Sequence, residues 1–121
     1  MRRDFVGIHT IIIDEISMVG DIMLTIISRR LQEIHNNHLP FGGFNVIVVG
    51  DFFQIRPIKS RYCFYNKILW ELFIPAFLSE NVRQLEDTDY AMLLNRARVG
   101  LLEPCDKETL VARLLSDPTE F

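Results

Sequence analysis

Apolar residues along this chain fall into two kinds of pattern. Ile11-Ile12-Ile13 and the run Phe44-Asn45-Val46-Ile47-Val48-Val49 are short and nearly unbroken. Such runs predict strands buried on both faces, as in a parallel sheet covered by helices. Each ends in acid, Asp14-Glu15 after the first and Gly50-Asp51 after the second. Burying an unpaired carboxylate is very costly, so the acids are expected at the carboxyl edge of the sheet, where ligands of open α/β folds bind. Between the runs, Met23, Ile27, Leu31 and Ile34 recur at helical spacing, with Thr25, Arg29, Gln32 and Glu33 on the opposite side. That predicts an amphipathic helix from an Asp21 N-cap to about Asn36, one face on the sheet.

Further along, Pro40-Phe41-Gly42-Gly43 is turn chemistry. Pro57 stops a helix from starting directly after Gln54, so a loop is expected to about Ser60. Ile68, Leu69, Leu72 and Phe73 predict a short helix carrying Trp70 and closed by Pro75. Ala76-Phe77-Leu78 reads as a third, short strand leading into Glu80-Asn81-Val82-Arg83-Gln84. A helix opens at Asp87-Thr88-Asp89, with Tyr90, Leu93, Leu94 and Ala97 as its stripe and Gly100 as its stop. The last helix runs from an Asp106 N-cap, after Pro104, through Leu110, Val111, Leu114 and Leu115 to Pro118. Strands alternating with helices imply an α/β domain with a parallel sheet, here one domain over residues 1–121.

Composition narrows the class. The chain has 121 residues, 49% of them apolar and 11% aromatic, which is enough for a core and unlike a disordered tail. No apolar run approaches a membrane span, and Met1-Arg2-Arg3-Asp4 lacks the apolar stretch of a signal peptide. Cys63 and Cys105 fit no zinc spacing and read as free thiols of a reducing, intracellular compartment. The nucleus is expected in a eukaryote, with the mitochondrion as the alternative. A formal charge of −3 argues against nucleic-acid binding through net charge, though not against a local basic strip. His35 and His38 bracket the end of the first helix; with no further ligand nearby they read as solvated helix-end histidines.

Two strands ending in acid, with a glutamine and an arginine on nearby loops, match the needs of phosphoryl transfer from a nucleotide. That chemistry uses a carboxylate to hold Mg²⁺, a second group to orient or deprotonate water, and a cation against developing charge. Asp14 is the candidate metal carboxylate, Glu15 the base, Gln54 the sensor of the γ-phosphate and Arg83 the cation. Arg83 has a structural alternative, pairing with Glu80 or Asp87. Phe52 and Phe53 read more readily as core plugs than as base-stacking platforms, and Trp70 as core or interface. Arg29 and Arg30 read as a solvated helix face, whereas Arg56, Lys59 and Arg61 stand equally well as structural residues or as a DNA path.

The motifs carry a resemblance. Ile11-Ile12-Ile13-Asp14-Glu15-Ile16-Ser17-Met18 resembles the Walker B segment, helicase motif II, of the petite-integration-frequency (PIF) family of DNA helicases. Gly42-Gly43-Phe44 with Val46 to Val49 and Gly50-Asp51-Phe52-Phe53-Gln54 resembles motif III. Asn81-Val82-Arg83-Gln84 resembles motif IV, and Leu93-Leu94-Asn95-Arg96-Ala97-Arg98-Val99-Gly100 the segment after it. DE after an apolar strand is common among ATPases; GDFFQ at this distance from NVRQ is far more specific. The resemblance spans roughly residues 5–115 and implies a RecA-like motor that hydrolyses ATP with Mg²⁺. Such a motor translocates 5′ to 3′ on single-stranded DNA and unwinds duplex DNA in repair, recombination and telomere maintenance. It implies Asp14 and Glu15 as the magnesium and water-activating pair, Gln54 as the γ-phosphate reporter and Arg83 as a contact to that phosphate.

The chain also departs from the family. No G-x-x-x-x-G-K-[ST] phosphate loop occurs in it, and motif III continues Ile55-Arg56-Pro57 where the family has Leu-Pro-Pro. The expectation is an incomplete RecA-like P-loop NTPase domain, a fragment without its phosphate-loop strand. The 45–50 strand would then have an unpaired inner edge or close against 76–79. Two other classes compete: a non-catalytic remnant acting as an interaction module, and another RecA-like ATPase sharing DE and GD-x-x-Q.

Overall fold

The structure is a computed structural model that describes residues 5–78 and 87–112. It divides into two compact units, residues 1–76 and 77–121. In the first, strand β1 (Thr10–Ile13), helix α1 (Asp21–His35), strand β2 (Asn45–Val48) and the short helix α2 (Lys67–Trp70) follow in order. In the second are helices α3 (Thr88–Arg98) and α4 (Pro104–Ala112).

β1 and β2 pair in parallel, with Thr10, Ile11, Ile12 and Ile13 opposite Asn45, Val46, Ile47 and Val48. The expected third strand is not formed in its described part, 76–78. Nor are the two strands buried on both faces. Ile11, Ile13, Val46 and Val48 pack on the core, but Ile12 is 68% and Ile47 51% exposed. Alternate residues point to opposite faces of a strand, and among the described residues only the first face has a cover.

α1 supplies that cover by a face that overlaps the expected one, since Leu31 is in the core and Ile27 and Ile34 pack against it. Leu24, Ser28 and Leu31 are buried, whereas Met23 is half exposed and Ile27 and Ile34 are only half-buried. With Ile22, Met23, Ile26 and Ile27 also apolar, hydrophobicity alone did not single out a face. The deciding contact is polar: the Ser28 hydroxyl accepts the Phe41 N–H at 2.9 Å. The helix is capped by Gly20, not Asp21, and ends at Asn36 in a left-handed conformation. His35 is exposed at the helix end, as expected, and also has partners there. Its ring stacks on Phe44, centroids 3.8 Å apart, and Nδ1 meets the Gly42 carbonyl at 2.7 Å.

The Pro40–Gly43 turn lies directly on α1. Gly42 has φ +65°, and a Cβ there would run into the Leu31 carbonyl. Behind it, Phe41, Phe73, Trp70, Phe52, Phe64 and Tyr62 form a chain of tilted and edge-on rings that ends in the stacked pair Phe64 and Tyr62. Cys63 is buried in the same core, its thiol against the Ile16 carbonyl at 3.7 Å. Burial pushes that thiol up to about 11, which leaves it protonated and inert.

In the second unit the Asp87 side chain caps α3 through the Tyr90 N–H, and Gly100 at φ +75° ends it. α4 starts earlier than expected, with Pro104 as its first residue. Asp106 therefore sits one turn in and reaches back to the Glu103 N–H at 2.9 Å, the reciprocal half of a capping box. The same buried carboxylate takes Nε and Nη2 of Arg96 at 2.7 and 2.5 Å, joining α3 to α4.

Two outcomes follow from these contacts. Gly42→Ala should destabilise the first unit by about 3 kcal/mol or more, since positive φ and backbone overlap add; urea unfolding followed by Trp70 fluorescence measures it. The second concerns acid. The Arg96 guanidinium and the Glu103 N–H hold the Asp106 carboxyl down at about 2, against an ordinary 3.8, with burial opposing them. A lowered folded value means the contribution is complete above the ordinary value and is lost as pH falls toward 2. Helicity of the chain should fall through that window, and Asp106→Asn should remove that component of the acid transition while lowering stability at neutral pH.

Candidate active site

The acidic pair stands at the carboxyl end of β1 because of one backbone irregularity. In a regular parallel ladder, a residue that donates to Ile13 would accept from Glu15. Val49 does donate to the Ile13 carbonyl at 2.9 Å, but it accepts from Ile16, also at 2.9 Å. One extra residue is thus looped out of β1, a bulge of the kind that re-aims side chains next to active sites. Glu15 absorbs the turn with φ 50° and ψ 46°, a left-handed conformation that costs a non-glycine residue about 1 kcal/mol or more. Its displaced N–H is taken by the Asp14 Oδ1 at 2.8 Å. Both carboxylates are consequently exposed, outside the ladder.

β2 ends against this bulge. A Cβ on Gly50 would lie 2.8 Å from the Ile16 nitrogen and 3.4 Å from the Glu15 carbonyl carbon, so only glycine fits there. The motif III loop therefore leaves the sheet in contact with the Asp14-Glu15 turn. Asp51 serves as the organiser of that loop. Its Oδ1 accepts the Phe53 N–H at 3.0 Å, its carbonyl accepts the Gln54 N–H at 3.0 Å, and its Oδ2 is 3.5 Å from the Gln54 amide nitrogen. The structure thus brings Asp14, Glu15 and the Gln54 turn to one sheet edge. Arg83, with the rest of Asn81-Val82-Arg83-Gln84 and with Glu80, lies outside the described residues.

The basic and aromatic candidates divide. Phe52 is a packing residue, edge-on to Tyr62, Phe64 and Trp70. Phe53, two-thirds of the way to full exposure at 63%, is on the surface of the loop with Arg56 and Lys59. Among the described residues neither Arg56 nor Lys59 makes an ion pair. Arg61 is engaged by Asp21, and Arg30 by Glu33 within α1. Asp51 and Asp21 are the residues whose roles sequence reasoning missed. The D-x-x-Q spacing of Asp51 and Gln54 matches a capping box and was a usable signal; for Asp21 and Arg61, forty positions apart, there was none.

A profile described as PIF1-like helicase matches residues 1–98. The ATP-dependent DNA helicase PIF1 of Saccharomyces cerevisiae is 32% identical over 108 residues, covering 84% of this chain and 13% of the yeast protein. Among solved structures, the Pif1 helicase from Candida albicans superposes with a TM-score of 0.76 at 29% identity, over 93% of this chain and 27% of that one. The Bacteroides Pif1 helicase in complex with ADP-AlF3 and single-stranded DNA does so with a TM-score of 0.70 at 26% identity, over 98% and 32%. The small parallel sheet of this chain, with its flanking helices, is that of a partial α/β domain. The chain spans about an eighth of its yeast relative's length, and it belongs to the PIF1-like helicase family.

Proposed function

We propose that this chain carries half of the ATP-hydrolysing site of a DNA helicase, within an incomplete RecA-like domain that lacks its phosphate-loop strand. The observation that carries the reading is the bulge at Glu15. It turns two carboxylates out of the ladder at the edge where the Gln54 loop begins.

The residues fit a hard divalent cation of the Mg²⁺ type, which takes one or two carboxylates and completes its shell with water and phosphate oxygens. Asp14, with one oxygen occupied by the Glu15 N–H, has its other oxygen for the ion or an ion-bound water. When bound, Mg²⁺ neutralises charge on the transferring phosphate. Glu15 has no backbone duty for its side chain, and its exposed carboxylate suits a general base for the attacking water. Gln54, tethered to Asp51, presents a neutral amide for the γ-phosphate and links that contact to the surface loop carrying Phe53, Arg56 and Lys59. Those three suit single-stranded DNA, with ring stacking beside phosphate neutralisation. Arg83 supplies the cation. Duplex DNA is then opened by translocation on one strand.

The lysine and hydroxyl of a phosphate loop are not among these residues, so the 121-residue protein should bind ATP weakly and release no phosphate above background, with or without single-stranded DNA. Clear DNA-stimulated release that disappears in Glu15→Gln would overturn that expectation. Grafted into the yeast relative in place of the matching segment, the chain should support DNA-stimulated hydrolysis. Glu15→Gln in that chimaera should lower turnover about 10²-fold or more, as loss of a general base does, with ATP binding retained. Undiminished turnover in an ATP-binding Glu15→Gln chimaera would remove Glu15 from the chemistry.

A further inference from the structure

The loop after β2 is held at both ends by the segment that follows Asp14-Glu15. At its entry, Val49 accepts from Ile16 and Gly50 lies against the Ile16 nitrogen. At its exit, Gly20 and Tyr62 form an antiparallel bridge, and the Asp21 N–H donates to the Arg61 carbonyl at 3.1 Å. Ser60 presses so closely on Gly20 that no Cβ would fit between them.

A carboxylate completes the exit. Nε and Nη2 of Arg61 both donate to Oδ2 of Asp21, at 2.9 and 2.6 Å. Oδ1 accepts from the Ile22 N–H at 2.9 Å and from the Ser60 hydroxyl at 3.3 Å. The Asp21 side chain is only 8% exposed, while Arg61 is 70% exposed and extends over the Tyr65 ring at 5.6 Å. Burial alone would raise the Asp21 pKa; the Arg61, Ile22 and Ser60 donors together outweigh it and hold the carboxyl below its ordinary value. The charged form therefore persists at neutral pH.

What this exit fixes is Tyr62, the residue after Arg61. Tyr62 stands edge-on to Phe52, centroids 5.8 Å apart, and Phe52 belongs to the turn in which Asp51 holds Gln54. Asp21 thus reaches Gln54 through Arg61, Tyr62 and Phe52. We propose that Asp21 and Arg61 form a positioning pair for Gln54, fixing the exit of the loop against the start of α1 and thereby the place of the Gln54 amide relative to Asp14 and Glu15. The inference rests on the reading of Gln54 as the γ-phosphate contact.

Backbone hydrogen exchange of the full chain tests it, with Asp21→Asn, Arg61→Lys and the double variant D21N/R61M. Amides of residues 51–60 should exchange about tenfold faster in Asp21→Asn and in the double variant, while those of β1, β2 and the middle of α1 stay within about twofold. Arg61→Lys, which keeps the charge, should restore most of the protection. The Gln54 side-chain amide resonances should move in the same order. The double variant also removes the cation that Asp21→Asn leaves without its partner, so it carries the test if Asp21→Asn does not fold. Unchanged exchange at 51–60 overturns the proposal. So does exchange that rises in step across β1, β2 and α1, or loss of the fold in both variants, because each makes the pair a general stabiliser. Failure of the Gln54 reading shows differently: Gln54→Ala in the yeast chimaera would leave turnover unaltered while the exchange effects of the pair persisted.

Discussion

Everything at this sheet edge depends on the two hydrogen bonds of one backbone residue, Val49. By donating to Ile13 and accepting from Ile16, it fixes the length of the loop between them at two residues, Asp14 and Glu15. The left-handed Glu15 is a consequence, since only a sharp reversal returns Ile16 to the ladder in that space. Local strain of this kind persists where surrounding structure over-determines it. Here the determinants are visible: a buried Ile16, a Gly50 whose missing side chain admits the Ile16 nitrogen, and Asp14 satisfying the N–H that the bulge displaces.

The same economy of backbone explains why the four acids around the site do different things. Asp14 and Glu15 are exposed because the bulge places them outside the ladder. Asp51 is engaged by its own turn, with Phe53 and Gln54 as donors. Asp21 is buried and paired with Arg61. A carboxylate whose oxygens are already satisfied by main chain and guanidinium is a poor metal ligand and a poor base; one facing solvent is available for either. Division of labour among the acids therefore follows from their partners more than from their positions along the chain.

Strand existence, parallel pairing and the delivery of acid to one edge were legible because they rest on local patterns: apolar runs, an intervening helix, and charges that cannot be buried alone. The core face of α1 was legible in part: Leu31, Ile27 and Ile34 pack there as their spacing implies, whereas Leu24 and Ser28 were not singled out. Ile22, Met23, Ile26 and Ile27 made several faces apolar, and the choice fell to Ser28, whose hydroxyl meets the Phe41 N–H. His35 is exposed as its position implied, but its contacts were not legible, since Phe44 and the acceptor Gly42 come from the far side of a turn whose left-handed residues no periodicity reports. Asp21 resembled a cap in sequence because an acid before an apolar helix usually is one. It lost that role to Gly20 when a long-range partner, Arg61, claimed the side chain.

The outer face of the sheet shows where such reading stops. Ile12 and Ile47 are register partners, both apolar and both exposed. Apolar residues on both faces of a strand express a sheet meant for two covers, yet composition says nothing about which residues provide them. α1 covers one face, and the described residues hold no second layer. At 68% and 51% exposed, the two isoleucines forgo only part of the roughly 1.5–3 kcal/mol that full burial gives such a side chain. The strands thus retain unrealised stability on the face away from α1, while the candidate site residues Asp14 and Glu15 owe their placement to the backbone of Val49 and need no second layer to reach the edge.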